Sequence, residues 1–106
     1  MINEARAQQA IDYLTETDFV CAEAKVNAER WKYTGKRKRA HVILTTSNVT
    51  AQVKDAKAEL DPEVIKADDL YFDCLAAYET MSAKRKTEQL VIEVWRTEQA
   101  NIRGAK

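Results

Sequence analysis

The chain has 106 residues, with 17 basic and 17 acidic side chains that cancel to a net charge of zero. This length allows one domain with a modest core. No apolar run approaches the ~20 residues that a membrane helix needs, and no signal peptide opens the chain. We therefore expect a cytoplasmic protein, with Cys21 and Cys74 as reduced thiols.

The N-terminal half is predicted to form two helices, at about 3–14 and 18–46. Thr17 is a candidate N-cap for the second, but Thr15-Glu16-Thr17 is a weak break, so one continuous helix is an alternative. Gly35 marks a bend or a close approach of another backbone, and the β-branched run 42–46 leaves a short strand as a second alternative. One row at helical spacing predicts the packed face: Phe19, Ala22, Val26, Glu29, Tyr33, Lys36, Ala40 and Ile43.

The C-terminal half is predicted to contain a short helical connector, at about 51–59, and one long helix. Asp61-Pro62-Glu63 is typical of a helix start, with Asp61 as the N-cap and Pro62 in the first helical position. No breaker follows until Gly104, which gives a helix over 62–103 of about 63 Å. A compact globule of this size has a radius of gyration of only about 13 Å. We therefore predict an all-α protein with a single helical domain over 1–106. Its architecture would be an elongated, coiled-coil-like antiparallel helical hairpin that forms oligomers.

The long C-terminal helix carries a row of apolar side chains that alternate in steps of three and four residues. Such a row is typical of a helical seam, within the hairpin or between copies. Arg85 and Glu88 fall on the same row and give it a charged middle. The apolar seam candidates are Val64, Tyr71, Cys74, Tyr78, Met81, Ile92 and Trp95.

The residues that usually carry catalysis are poorly placed. His41 is the only histidine, and its apolar neighbours indicate a position at the edge of the core. Asp69 and Asp73 share one helix face, but hard cations usually need more oxygen ligands, so a solvated acidic face is favoured. No nucleophile has a visible base, and no Gly-rich loop is present. We predict no enzyme activity, no metal and no cofactor.

Basic residues are concentrated in one segment. Residues 25–39 carry seven cations against Glu29, whereas residues 55–79 carry eight acids against two lysines. These two segments can face each other inside the fold. However, four consecutive cations at 36–39 fan around a helix and cannot all meet one acidic face. Cations with an interleaved aromatic ring suit single-stranded nucleic acid, and Trp31 is the stacking candidate. The predicted binding residues are Lys25, Arg30, Lys32, Lys36, Arg37, Lys38, Arg39, Lys84, Arg85 and Lys86.

The C-terminal half resembles the UvsY-type recombination mediators of phages over about residues 50–100. The similarity lies in the connector 53–57, the turn 61–64, the aromatic pair Tyr71-Phe72, the basic cluster 84–86 and the closing stretch 91–96. It implies binding of single-stranded DNA, assembly into oligomers and a recombinase partner.

Two functions follow from these observations. The first is a non-enzymatic, phage-type accessory protein that binds single-stranded DNA, associates with itself, and assists recombination or replication together with a recombinase or another replication protein. The alternative is a structural or protein-interaction module, such as an assembly component or an inhibitor, without nucleic-acid binding. A plain monomeric bundle with its charges satisfied internally is a third possibility.

Overall fold

A computed structural model describes residues 1–105. The chain forms three α-helices: α1 (Glu4–Thr45), α2 (Ala51–Leu60) and α3 (Pro62–Gly104). The all-α prediction is confirmed, with α1 and α3 as the arms of a helical hairpin and α2 as its connector. The strand alternative at 42–46 is wrong, because α1 continues to Thr45 and the described residues contain no strand.

The N-terminal arm is one continuous helix, the alternative to a break at Thr15-Glu16-Thr17. The Thr15 hydroxyl donates to the Ile11 carbonyl at 2.9 Å, and the Thr17 hydroxyl donates to the Tyr13 carbonyl at 2.6 Å. These bonds satisfy the hydroxyls one turn back along the helix, so the threonines stay inside it. Thr17 is therefore not an N-cap. That role belongs to Asn3, whose Oδ1 accepts from the backbone N–H of Arg6 at 2.7 Å.

Two caps define the turns on either side of α2. The Thr50 hydroxyl accepts from the backbone N–H of Val53 at the start of α2. Asp61 Oδ1 accepts from the N–H groups of Glu63 at 2.9 Å and Val64 at 3.2 Å, with Pro62 in the first position of α3. The cap predicted at Asp61 is thus confirmed.

The contacts of the chain divide it into two units. Unit 1 contains Met1–Ala22 together with the described residues from Glu79 onward, and unit 2 contains Glu23–Tyr78. In each unit, part of α1 packs against part of α3; unit 2 also contains α2. The single domain expected over 1–106 stays a prediction.

The packed face of α1 consists mainly of small side chains, in steps of three and four residues. We call this row the inner seam of α1. Its most buried members are Ala7 and Ala10 in unit 1, and Ala28 and Gly35 in unit 2. The face predicted from the larger side chains is wrong, because Phe19, Val26 and Tyr33 are exposed.

Small side chains let two helices approach closely, since the distance between helix axes depends on the residues in contact. A Cβ atom added at Gly35 would lie 2.9 Å from Asp68 Oδ1 and 3.8 Å from the Cβ of Ala67. Gly35 therefore marks a close approach of α3.

The packed face of α3 contains the row of seam candidates. Val64 and Ile92 are buried. Five others are half-buried: Tyr71, Cys74, Tyr78, Met81 and Trp95. The indole N–H of Trp95 is buried without a hydrogen-bond acceptor among residues 1–105. Within the same residues, no helix is long and apolar enough to cross a membrane.

Candidate nucleic-acid interface

Five cations of the basic segment lie exposed on the part of α1 that belongs to unit 2. Within the described chain, none of them forms an ion pair with a carboxylate. Residues 25, 32 and 36 share one flank of the helix, and residues 30 and 37 lie on the adjoining strip, because positions three, four or seven apart fall close together. We call this set the basic face of α1: Lys25, Arg30, Lys32, Lys36 and Arg37.

The other two cations of the segment are engaged inside unit 2. Lys38 Nζ lies 2.9 Å from Glu63 Oε2. Arg39 Nε lies 2.9 Å from Glu59 Oε1, and its Nη2 lies 3.1 Å from Asp68 Oδ2. Arg39 thereby ties α1 to both α2 and α3. The alternative of internal pairing holds for these two side chains and not for the basic face.

These contacts shift the pKa values of Glu63 and Arg39. The hydrogen bond from Lys38 holds the pKa of Glu63 below its ordinary value. The hydrogen bond to Glu59 raises the pKa of Arg39, against a smaller opposing effect of burial. Lys38 and Arg39 therefore connect α1 to the other helices of unit 2, and they are not part of the candidate interface.

The aromatic ring of this surface is Tyr33 and not Trp31. Trp31 lies on the inner seam of α1 and is half-buried, whereas Tyr33 is 52% exposed. Lys36 Nζ lies 5.3 Å from the centroid of the Tyr33 ring. A shallow groove runs along the ring and is lined by Val26, Glu29, Arg30, Tyr33, Thr34 and Arg37. The ring is therefore available for stacking, with cations on both sides.

The second basic cluster, in unit 1, is also divided. Lys84 and Lys86 are exposed, and Lys84 Nζ lies 4.5 Å from the centroid of the Tyr13 ring. Arg85 is turned toward α1. Its guanidinium donates to the Leu14 carbonyl at 2.8 Å and to the Thr17 hydroxyl at 2.6 Å, and it pairs with Asp18. Arg85 thus joins α1 to α3, and we remove it from the interface as well.

The charged middle of the α3 row is completed by a pair that the sequence did not predict. Glu88 is buried, and its carboxylate accepts hydrogen bonds from Nη1 and Nη2 of Arg6 at 2.7 and 2.9 Å. This hydrogen bonding raises the pKa of Arg6 and lowers that of Glu88. The partner is 82 residues away along the chain, and no local pattern marks it.

The residues considered for chemistry are placed at the surface. His41 is exposed and not at the edge of the core, beside a groove that Arg37 and Glu63 also line. Asp69 and Asp73 are exposed on α3. Among residues 1–105, no group of three His, Cys, Asp or Glu side chains is placed to hold a metal ion.

No family model, curated protein or solved structure matches this chain. The resemblance to UvsY-type mediators therefore stays a prediction. The functional argument depends on the geometry of the basic face itself.

Proposed function

We propose that this chain is a non-enzymatic protein that binds single-stranded nucleic acid through the basic face of α1. One observation carries the proposal: five exposed cations without a carboxylate partner in the described chain lie along one helix, and three of them, Arg30, Lys36 and Arg37, flank an exposed tyrosine ring. Cations attract the phosphate backbone and release its counterions, and an aromatic ring stacks on any base. Single-stranded DNA is the ligand that the resemblance favours.

The basic face extends from residue 25 to residue 37 of one helix, a rise of about 18 Å along the helix axis. Its cations follow the helix axis on one side, so an extended strand lying along α1 would meet them in turn. Because α1 is regular through this segment, the spacing of the cations is set before a ligand binds. Lys84 and Lys86 are secondary candidates in unit 1.

The role in the cell that we propose is assistance to recombination or replication. The resemblance to UvsY-type mediators supports this role and adds a recombinase as a candidate partner. A protein-interaction module without nucleic-acid binding is the second candidate, because exposed apolar side chains such as Val26 accompany the cations.

The experiment is a titration with a labelled single-stranded oligonucleotide at several salt concentrations. Changing all five cations of the basic face to Gln should abolish most of the binding. It should also reduce the slope of log K against log salt by up to about 3.5, since each lost phosphate contact contributes ~0.7. The matched control changes five cations elsewhere and should bind nearly as the unmodified protein does: Lys54, Lys57, Lys66, Arg96 and Arg103.

Tyr33→Ala separates stacking from charge. We expect an affinity loss of about 1–3 kcal/mol with an unchanged salt slope, since the ring contributes no charge. Equal binding by the five-cation variant and its control would reject the basic face. Binding by neither the unmodified protein nor the control would reject nucleic acid altogether and favour the protein-interaction module.

A further inference from the structure

Both long helices carry a second apolar row in unit 2. It lies on the side turned away from the inner seam of α1 and from the packed face of α3. On α1 the row contains Val26 and Tyr33, and on α3 it contains Ile65 and Phe72. Phe72, at 61% exposure, is the most exposed of the four. Isolated apolar side chains are common on surfaces, but rows of them along a helix mark contact surfaces.

The two rows have the same spacing. On α1, Val26 is followed by Arg30, Tyr33 and Arg37, in steps of four, three and four residues. On α3, steps of the same size lead from Ile65 through Asp69 and Phe72 to Ala76, with Asp73 beside Phe72. Each row therefore places a charge between two apolar side chains. We call them the outer row of α1 and the outer row of α3.

The charges in the two rows are opposite in sign. Arg30 and Arg37 stand on α1, and Asp69 and Asp73 stand on α3. All four are exposed, and none forms an ion pair within residues 1–105. A monomer thus leaves both sets of charges and both apolar rows in water.

We propose that the outer row of α3 of one copy docks on the outer row of α1 of a second copy. The central charge of each row lies between its apolar neighbours, so Arg30 meets Asp69 whether the helices run parallel or antiparallel. The apolar residues then cover each other, as in the heptad seams of coiled coils, with opposite charges fixing the partner and the register.

The arrangement of the rows decides the type of assembly. Within unit 2, each outer row faces away from the other helix, so two copies cannot satisfy both rows by a reciprocal contact. The contact is heterologous, and repeating it gives a ring or an open chain of copies rather than a closed dimer. Arg30, Tyr33 and Arg37 also belong to the proposed nucleic-acid surface. If the proposed function is right, a second copy and a single-stranded nucleic acid compete for the outer row of α1.

The test is mass measurement by light scattering without nucleic acid, so that its outcome is independent of the proposed function. The unmodified protein should form species larger than dimers as its concentration rises. The variants R30E/R37E and D69K/D73K should each stay monomeric, because like charges then face each other. Mixing the two in equal amounts should restore assembly, since each supplies the row that complements the other.

Controls separate this contact from general charge effects and from misfolding. The variants E16K/D55K and R96E/R103E carry the same net charge changes elsewhere, and should assemble as the unmodified protein does. Adding Y33S and F72S to both members of the restoring mixture keeps its charges and should prevent assembly. Helical content measured by circular dichroism should be unchanged in every variant. A single-chain mass for the unmodified protein at all concentrations, or a mixture that stays monomeric, would overturn the proposal.

Discussion

Units 1 and 2 each contain part of α1 and part of α3, but the charged side chains that connect the helices are placed differently in the two units. In unit 1 the charged groups lie between the helices, where Glu88 is buried against Arg6 and Arg85 reaches Thr17 and Asp18. In unit 2 the inner seam of α1 consists mainly of small side chains, and the ion pairs are more exposed. Arg39 pairs with Glu59 and Asp68, and Lys38 pairs with Glu63, whose side chain is 65% accessible.

This difference explains why a basic cluster in the sequence is a poor guide to an interface on its own. Arg85, the middle cation of the cluster 84–86, is not available to a ligand, because it bonds a carbonyl, a hydroxyl and a carboxylate of α1. In unit 2 the inner seam of α1 offers mainly alanine and glycine, so most cations of the segment 25–39 point outward. The partner helix decides which cations remain available for a ligand.

The sharpest way to break the small-residue packing of unit 2 is Gly35→Leu. The new side chain would enter the space held by Asp68 and Ala67. We expect the free energy of unfolding to fall by about 3 kcal/mol, as is found for overpacked cores, in a urea titration followed by circular dichroism. Gly104→Leu is the control, since nothing lies within 4 Å of a Cβ at that position. Equal stability of the two variants would contradict the close approach at Gly35.

Removal of volume from the same region should have the next largest effect. Val64 is 0% exposed, so Val64→Ala leaves a cavity between the helices. Two lost methyl groups and the cavity together predict a loss of about 2 kcal/mol in the free energy of unfolding. Val53→Ala, at an exposed position on α2, makes the same chemical change and should cost clearly less. A similar cost at both positions would show that Val64 is not packed as described.

The ionic contact of unit 1 is tested by Glu88→Gln against Glu63→Gln in unit 2. Arg6 lowers the pKa of Glu88 below its ordinary value of 4.5. The carboxylate therefore adds stability above that value, and the contribution is lost as the pH falls through the lowered pKa. We expect Glu88→Gln to lower the Tm at pH 7, with the difference from the unmodified protein vanishing at acid pH.

Glu63→Gln should follow the same pH dependence with a smaller amplitude, because solvent screens that exposed pair. The measurement is the Tm of both variants and of the unmodified protein between about pH 2 and pH 7, which brackets the ordinary carboxyl pKa. A larger effect at Glu63 would reverse the comparison between the two units.

The smallest effect is expected for Trp95→Phe in unit 1. The indole N–H has no acceptor among the described residues, so the substitution breaks no hydrogen bond. We expect a change below about 1 kcal/mol, limited to the lost ring area. A much larger loss in the same urea titration would indicate that the N–H is bonded in solution, through a water molecule for example.

The sequence predicts the C-terminal half of the fold better than the N-terminal half. Asp61-Pro62 marks a helix start by local capping chemistry, and the structure places the cap there. The α3 row contains large apolar side chains, which dominate any pattern of hydrophobicity. The inner seam of α1 is made of residues such as Ala28 and Gly35, whose role depends on the approach of α3 and is not visible in α1 alone.

The prediction of the candidate site depends on which face of α1 is packed. The sequence pattern places Tyr33 in the seam and Trp31 outside it, whereas the structure has Trp31 in the seam and Tyr33 exposed. The two residues are two positions apart and therefore lie on nearly opposite sides of α1. The sequence alone does not separate Lys38, Arg39 and Arg85 from the unpaired cations, because their partners lie 20 to 71 residues away in the chain. The basic face contains five of the ten predicted cations, and these five can be identified only when the long-range contacts of the others are known.

The two tryptophans of the chain are divided between the units, with Trp31 in unit 2 and Trp95 in unit 1. Each is half-buried on the packed face of its helix, and its emission will change when unfolding exposes it to solvent. Fluorescence from a variant that keeps only Trp31 therefore follows the melting of one unit, and the companion variant that keeps only Trp95 follows the other. Coincident transitions would mean that the hairpin unfolds as one cooperative body, and separated transitions would mean that each half opens independently.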